Sequence, residues 1–236
     1  MKQKIKVFSF ILGVLLLFLI LQFQFFQKDT WRSWSLPLSG KVIYLDPGHG
    51  GPDGGAGDQD ALEKHIALSV AFKVRDYLQE QGAIVLMTRE TDKDLADPKT
   101  RGYSRRKVED LQKRLKMINS SNADLFISIH LNSIPGPQWK GAQTFFTPYF
   151  PENKRAATFI QDELIRNLEN TDRTAKVLQN VYILRNAKKP GALVEIGFLS
   201  NQEERKNLMS VRYQEKVAAS ISHGITRYFT NEKSIK

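Results

Sequence analysis

From residue 42 onward, short apolar runs with β propensity alternate with amphipathic helical patterns, and this alternation narrows the accessible folds more than any other feature. The strand candidates are residues 42–46, 83–88, 125–130, 142–147, 181–185 and 192–196. Between them Leu62, Ile66, Val70, Val74 and Leu78, and later Val108, Leu111, Leu115 and Ile118, recur at helical spacings. Gly82 is placed to stop the first of these helices. Further helices are predicted over residues 152–168 and 211–229, with Asn201 positioned to cap a short one before the last. The pattern predicts a single α/β domain with a largely parallel sheet covered on both faces. With 41% hydrophobic and 25% charged residues in a chain of 236, it has the composition to bury a full core.

Ahead of this domain, Lys2, Lys4 and Lys6 precede an apolar run over residues 7–26, broken only by Ser9, Gly13, Gln22 and Gln24. Basic residues before some twenty apolar ones fit a transmembrane helix with its amino end in the cytoplasm. A cleaved signal peptide is the rival, but the bulky Q-F-Q-F-F-Q that follows offers no small-residue cleavage site, so an uncleaved anchor is expected. Residues 27–40 have no period and read as a linker, in which Trp31 and Trp34 suit either a bilayer interface or the edge of the domain. The folded domain is then expected over 41–229, with a short tail at 230–236.

The formal charge is +10, three units of it in the N-terminal lysines, and favours an anionic neighbour without choosing one. Lys99, Arg101, Arg105, Arg106, Lys107, Lys113, Arg114 and Lys116 form the densest basic run. A solvated helix face is the plain reading of it, and a surface facing an acidic polymer the functional one. Aromatic interleaving, zinc-finger spacing and helix-turn-helix patterns are all missing, so nucleic acid is not the expected partner. There is no cysteine, which excludes disulfides, thiolate metal sites and thiol nucleophiles; any metal must be held by histidine and carboxylate.

The four histidines divide into two pairs. His49 follows the strand V-I-Y-L-D-P in a glycine-rich turn, and His130 ends the strand L-F-I-S-I-H. Both therefore belong to the crevice at the carboxyl ends of the strands, where open α/β sheets bind ligands. Glu63 starts the next helix and brings a carboxylate to the same rim; two imidazoles and one carboxylate suffice to hold zinc with a fourth position open. Alone, Glu63 also fits an acid favoured by the helix dipole. Glu195 lies within the apolar L-V-E-I-G-F-L-S-N and needs a partner, either a metal-bound water or an ion pair with Arg185 or Lys188. His65, two residues from Glu63 on one helix, faces elsewhere, and His223 in the final helix is read as packing or surface.

Taken together, D-P-G-H-G-G, L-E-K, L-Q-K-R, A-D-L-F-I-S-I-H-L-N-S and L-V-E-I-G-F-L-S-N resemble, in order, the zinc-dependent N-acetylmuramoyl-L-alanine amidases of the Amidase_3 family. The resemblance spans about residues 41–229. It implies a six-stranded sheet with flanking helices, a Zn2+ ion held by His49, Glu63 and His130, and Glu195 as catalytic carboxylate. The implied substrate is peptidoglycan, cut at the amide between the lactyl group of muramic acid and L-alanine of the stem peptide. An oxyanion would be supported by Asn132 or by backbone amides of the loop 50–57, and Arg185 is a candidate for a stem-peptide carboxylate. A short chain with an N-terminal membrane segment and no wall-binding repeats is most similar to the family's spore-forming branch, which strips peptides so that muramic lactam forms in the cortex. This places the domain outside the cytoplasm, anchored or secreted, in the cell envelope or on the cortex side of the forespore. Only about twenty residues separate Asn132 from Glu152, four of them proline, leaving little room for the inhibitory helix of some relatives; any control would come from a partner protein or from timing of expression. The same metal ligands also suit a carboxypeptidase or deacetylase, and a wall-binding module without catalysis would not need all four residues.

Overall fold

The computed structural model describes residues 2–26, 36–136 and 138–231. Trp31 and Trp34, and the tail beyond 231, lie outside them. Contacts divide the chain into two units, Met1–Leu36 and Pro37–Lys236. The first holds helix α1, Lys2–Phe26, whose span Ile5–Phe23 has mean hydropathy 2.5 and buries none of its residues against protein. By length and composition it suits a membrane span or a signal sequence.

In the second unit the chain runs β1 (Val42–Pro47), α2 (Glu63–Glu80), β2 (Ile84–Met87), α3 (Tyr103–Ser120), β3 (Leu125–Asn132) and β4 (Gln143–Phe146). It continues through α4 (Pro151–Leu168), β5 (Lys176–Val177), α5 (Tyr182–Asn186), β6 (Gly191–Phe198), α6 (Gln202–Met209) and α7 (Val211–Phe229). The strands form one six-stranded sheet in the order β2-β1-β3-β6-β4-β5. The first four are parallel; β4 runs antiparallel to β6, and β5 pairs parallel to β4. The chain leaves β1 toward β2 on one side and returns as β3 on the other, so a crevice opens between the carboxyl ends of β1 and β3.

Most expected elements form where the pattern put them, for local reasons. Gly82, at φ 90°, ends α2 while its amide donates to the carbonyl of Gln79. The Asn201 side chain accepts from the amides of Glu203 and Glu204 at 3.0 and 3.1 Å and so starts α6. The expected strand over 181–185 is instead helix α5, and the fifth strand is the two-residue Lys176–Val177. A five-residue apolar run carries no period that separates strand from helix. Here Ile183 and Leu184 bury against the sheet from one turn of helix, while β5 is too short and too exposed to leave a pattern.

Strand alternation sorts side chains between two layers. Ile43, Leu45, Leu125, Ile127 and Ile129 face the larger core, which includes Val70 and Val74 of α2, Ile160 of α4 and Ile221 of α7. Tyr44, Phe126 and Leu193 face a smaller core with Ile118 of α3 and Ile183 of α5. Two residues further along each of these strands, the same face carries Asp46, Ser128 and Glu195, with His130 beyond. The site therefore belongs to the thinner layer, roofed by α3 and α5. Leu38, in the stretch read as linker, is fully buried in the larger core.

Candidate metal centre

Pro47 ends β1, one residue beyond the expected 42–46, and His49 follows at φ 60°, in the left-handed region that non-glycine residues seldom adopt. Two buried arginines hold this turn by its carbonyls. Arg114 donates to the carbonyl of Pro47 at 2.7 Å and to that of His49; Arg89 donates to Pro47 at 3.1 Å and to Gly48 at 2.7 Å. Arg114 also pairs with Asp46 at 2.9 Å and Asp110 at 2.8 Å, and Asp46 accepts from Thr88 and Ser128. Burial pushes the Asp46 carboxyl up, but the Arg114 guanidinium and the hydroxyl donors outweigh it, so Asp46 is held below the usual carboxylate range.

The basic run is thus not uniformly a solvated face. Its Arg114 is 1% exposed, and α3 buries Asp110, Arg114 and Ile118 while Val108 of the apolar stripe is 55% exposed. The helix is rolled toward its polar i, i+4 row because that row completes the network under the turn. A legible signal existed: Arg114 stands three residues from Leu111 and four from Ile118, on the face already expected to be buried.

Glu63 is the first residue of α2, almost fully buried, and its carboxylate joins both histidines. Oε1 lies 2.9 Å from His130 Nδ1 and accepts from the amide of Leu131 at 2.9 Å; Oε2 lies 3.2 Å from His49 Nε2 and accepts from Ala56 at 2.8 Å. Burial would raise the Glu63 pKa, but the imidazoles of His130 and His49 hold it far below its ordinary value. For His49 burial disfavours the charged ring, yet Asp53 and Glu63 prevail and its pKa is raised to about 9. The imidazole rings stand 5.1 Å apart at 77°.

One donor atom from each of His49, Glu63 and His130 lies within 4.8 Å of the others. Zinc bonds of about 2.0–2.2 Å place donors some 3–4 Å apart, so a set of two imidazoles and one carboxylate gathered this closely has the chemistry and the spacing to draw in around a zinc ion. The glycines around it leave no spare room. A Cβ on Gly48 would lie 2.4 Å from the His130 ring, and one on Gly55 would lie 2.5 Å from Glu63 Oε2.

Glu195 stands beside His130 because β3 and β6 pair His130 with Glu195 in register. Burial raises its pKa to about 7 against the pull of His130, and its buried Oε2 has no hydrogen-bond partner. Arg185 and Lys188 are exposed, and no ion pair to Glu195 forms among the described residues, so the structural ion-pair reading fails. Asn132 ends β3 and Arg185 sits on α5, but neither lines the cavity beside the site. The loop amides are largely spent. Those of Gly50, Gly51, Asp53, Gly55 and Ala56 already donate within the loop or to Asp92 and Glu63. His65 and His223 are exposed.

Sequence reasoning missed Asp53. Its Oδ2 lies 3.0 Å from His49 Nδ1, although out of line for a hydrogen bond, and its Oδ1 accepts from Tyr103 at 2.8 Å and from the Gly55 amide at 3.1 Å. A carboxylate behind a ligating histidine orients the ring. Burial opposes its ionisation, but His49 and Tyr103 draw its pKa well below the ordinary value.

An α/β sheet carrying two imidazoles, a buried carboxylate and a second carboxylate of raised pKa at its strand ends has the arrangement of a metal-dependent hydrolase. The chain belongs to the Amidase_3 family of N-acetylmuramoyl-L-alanine amidases, whose family model matches residues 43–227. It is 58% identical over 232 residues to the germination-specific N-acetylmuramoyl-L-alanine amidase of Bacillus subtilis, across 98% of each chain. Among solved structures, the CwlD amidase from Clostridioides difficile in complex with the GerS lipoprotein matches with a TM-score of 0.79 and 37% identity, over 82% of this chain and 100% of that one. The catalytic domain of CwlV from Bacillus (Paenibacillus) polymyxa matches with a TM-score of 0.69 and 29% identity, over 81% and 99%. The enzyme class and the single α/β domain expected from the sequence hold.

Proposed function

We propose that His49, Glu63 and His130 hold one zinc ion, and that Glu195 carries the proton in hydrolysis of the amide between muramic acid and L-alanine. What carries this reading is the in-register pairing of His130 with Glu195, which puts a partnerless carboxylate oxygen beside the donor cluster. A bound zinc ion supplies Lewis-acid polarisation of the scissile carbonyl and makes a water more acidic. Glu195 Oε2 accepts a proton from the attacking water as the water oxygen bonds to the carbonyl carbon. The same oxygen then returns that proton to the departing nitrogen, so the products are a muramoyl carboxyl group and a peptide with a free alanine amine. A carboxyl group with pKa near 7 suits both transfers at neutral pH. Asp53, Arg114 and Arg89 keep the His49 turn in place throughout.

The setting is inferred from the likeness to the germination-specific amidase and from α1. The enzyme works outside the cytoplasm, tethered by α1, and strips stem peptides from spore-cortex peptidoglycan so that lactam can form before germination. No helix lies between β3 and α4 among the described residues. A partner protein takes the regulatory place of a built-in inhibitory helix; support comes from the C. difficile CwlD, whose structure is a complex with the GerS lipoprotein.

Mass spectrometry of peptidoglycan digested by the zinc-loaded chain tests the reaction. New alanine amino termini on intact glycan strands are expected. Release of acetate, or of a C-terminal amino acid without free alanine termini, would replace the amidase reading with the deacetylase or carboxypeptidase one.

A further inference from the structure

Beside Glu195 and His130 lies a cavity of about 200 Å³, set between the sheet, α3 and α5. Leu111, Val181, Ile183 and Leu193 make one wall apolar, and Lys107 stands among the lining residues with 41% of its side chain exposed. Lys107 and Arg114 both line this cavity. Arg114 is committed to Asp46, Asp110 and the carbonyls of Pro47 and His49. Lys107 makes a single ion pair, 3.2 Å to Asp53 Oδ2, on a carboxylate that already serves His49, Tyr103 and Gly55. An ammonium has three donors, so Lys107 keeps some to spare toward a ligand.

The two sides of the scissile amide differ in charge. The lactyl carboxyl of muramic acid is consumed in the amide, which leaves the glycan side neutral. On the other side the alanine methyl is followed by a carboxylate-bearing peptide. A cavity with an apolar wall and an available ammonium suits the second and not the first.

We propose that this cavity is the stem-peptide subsite, in which the alanine methyl packs on the Leu111 and Leu193 wall and Lys107 pairs with the carboxylate of the next residue. Lys107 is thereby a specificity-determining residue that favours a free carboxylate over its amide at that position. The proposal rests on the amidase reading above and deepens it. A partly exposed charge-assisted pair supports discrimination of about 3- to 10-fold.

The test uses the full chain, zinc-loaded in detergent, on two muropeptides of short glycan that differ only in carrying glutamate or its amide after alanine. The unsubstituted enzyme should prefer the acid about 3- to 10-fold in kcat/KM, mainly through KM. Lys107→Met should make the two rates converge, and Lys107→Arg should keep the preference. Three results would overturn the assignment: no preference in the unsubstituted enzyme, a preference that survives Lys107→Met, or an equal loss on both substrates, which would mean that Lys107 acts only by steadying Asp53. An unsubstituted enzyme that cuts neither would refute the reaction itself, and the subsite with it.

Discussion

Replacing Arg114 by methionine removes the guanidinium that joins the sheet, α3 and the His49 turn while keeping much of the side chain's volume. Its partners do not move to water. Asp46 is 1% exposed and Asp110 4% exposed, and both would be left as buried carboxylates without their cation. Breaking a buried ion pair from one side costs about 3–5 kcal/mol, and the methionine stem limits any further loss from a cavity. Two of the lost acceptors are carbonyls in the turn that holds His49 at φ 60°, so zinc affinity should fall as well, by about 10- to 100-fold as for other supports behind metal ligands. Urea unfolding of the zinc-free chain at pH 7 reads the first effect, and competitive zinc titration reads the second. The stability gap should also narrow in acid. Asp46 has its folded pKa depressed by Arg114 against burial, so its contribution is present above the unfolded value of about 3.9 and is lost as pH falls through the lower folded value. Asp110, pushed up by burial against the pull of Arg114, contributes in the opposite sense as pH rises past about 3.9. A loss below about 1 kcal/mol at pH 7, or unchanged zinc affinity, would refute the view that Arg114 organises the turn.

Glu195→Gln should keep fold and zinc content while turnover falls by about 10²- to 10⁴-fold, whereas His49→Ala and His130→Ala should lose the zinc itself; elemental analysis beside rate measurements separates the two classes. If Glu195→Gln instead loses zinc, the carboxylate is a ligand. Gly55→Ala should weaken zinc binding and cost about 1–2 kcal/mol, because Gly55 has φ 70° and the new Cβ would press on Glu63 Oε2 and His49 Cδ2; normal affinity would show that the cluster yields easily. Protease added to intact protoplasts should remove the catalytic domain, as the N-terminal lysines orient α1 with its amino end inside; lasting protection, under conditions that digest a known outer protein, would reverse that topology.

The features legible along the chain are those set by interactions between near neighbours. The stripe Ile66, Val70, Val74 and Leu78 made α2 legible, Gly82 and Asn201 marked helix ends, and short continuous apolar runs marked β1 and β3, which are buried along most of their length. His49, Glu63, His130 and Glu195 stood out because each is polar at the end of, or inside, an apolar element. Where the local signal was silent, tertiary structure decided. Residues 181–185 became α5 because one helical turn buries Ile183 and Leu184 against the sheet, a choice that no period in five residues encodes. Arg114 and Asp53 gained their roles from partners far along the chain or across the turn. Arg114 meets Asp46 at a separation of 68 residues, and Tyr103 meets Asp53 at 50. Such contacts depend on register and crossover, on which strand lies beside which and how far a helix rolls. A buried guanidinium is tolerated only where a whole network of carboxylates and carbonyls closes around it, and that closure exists only once the sheet has assembled.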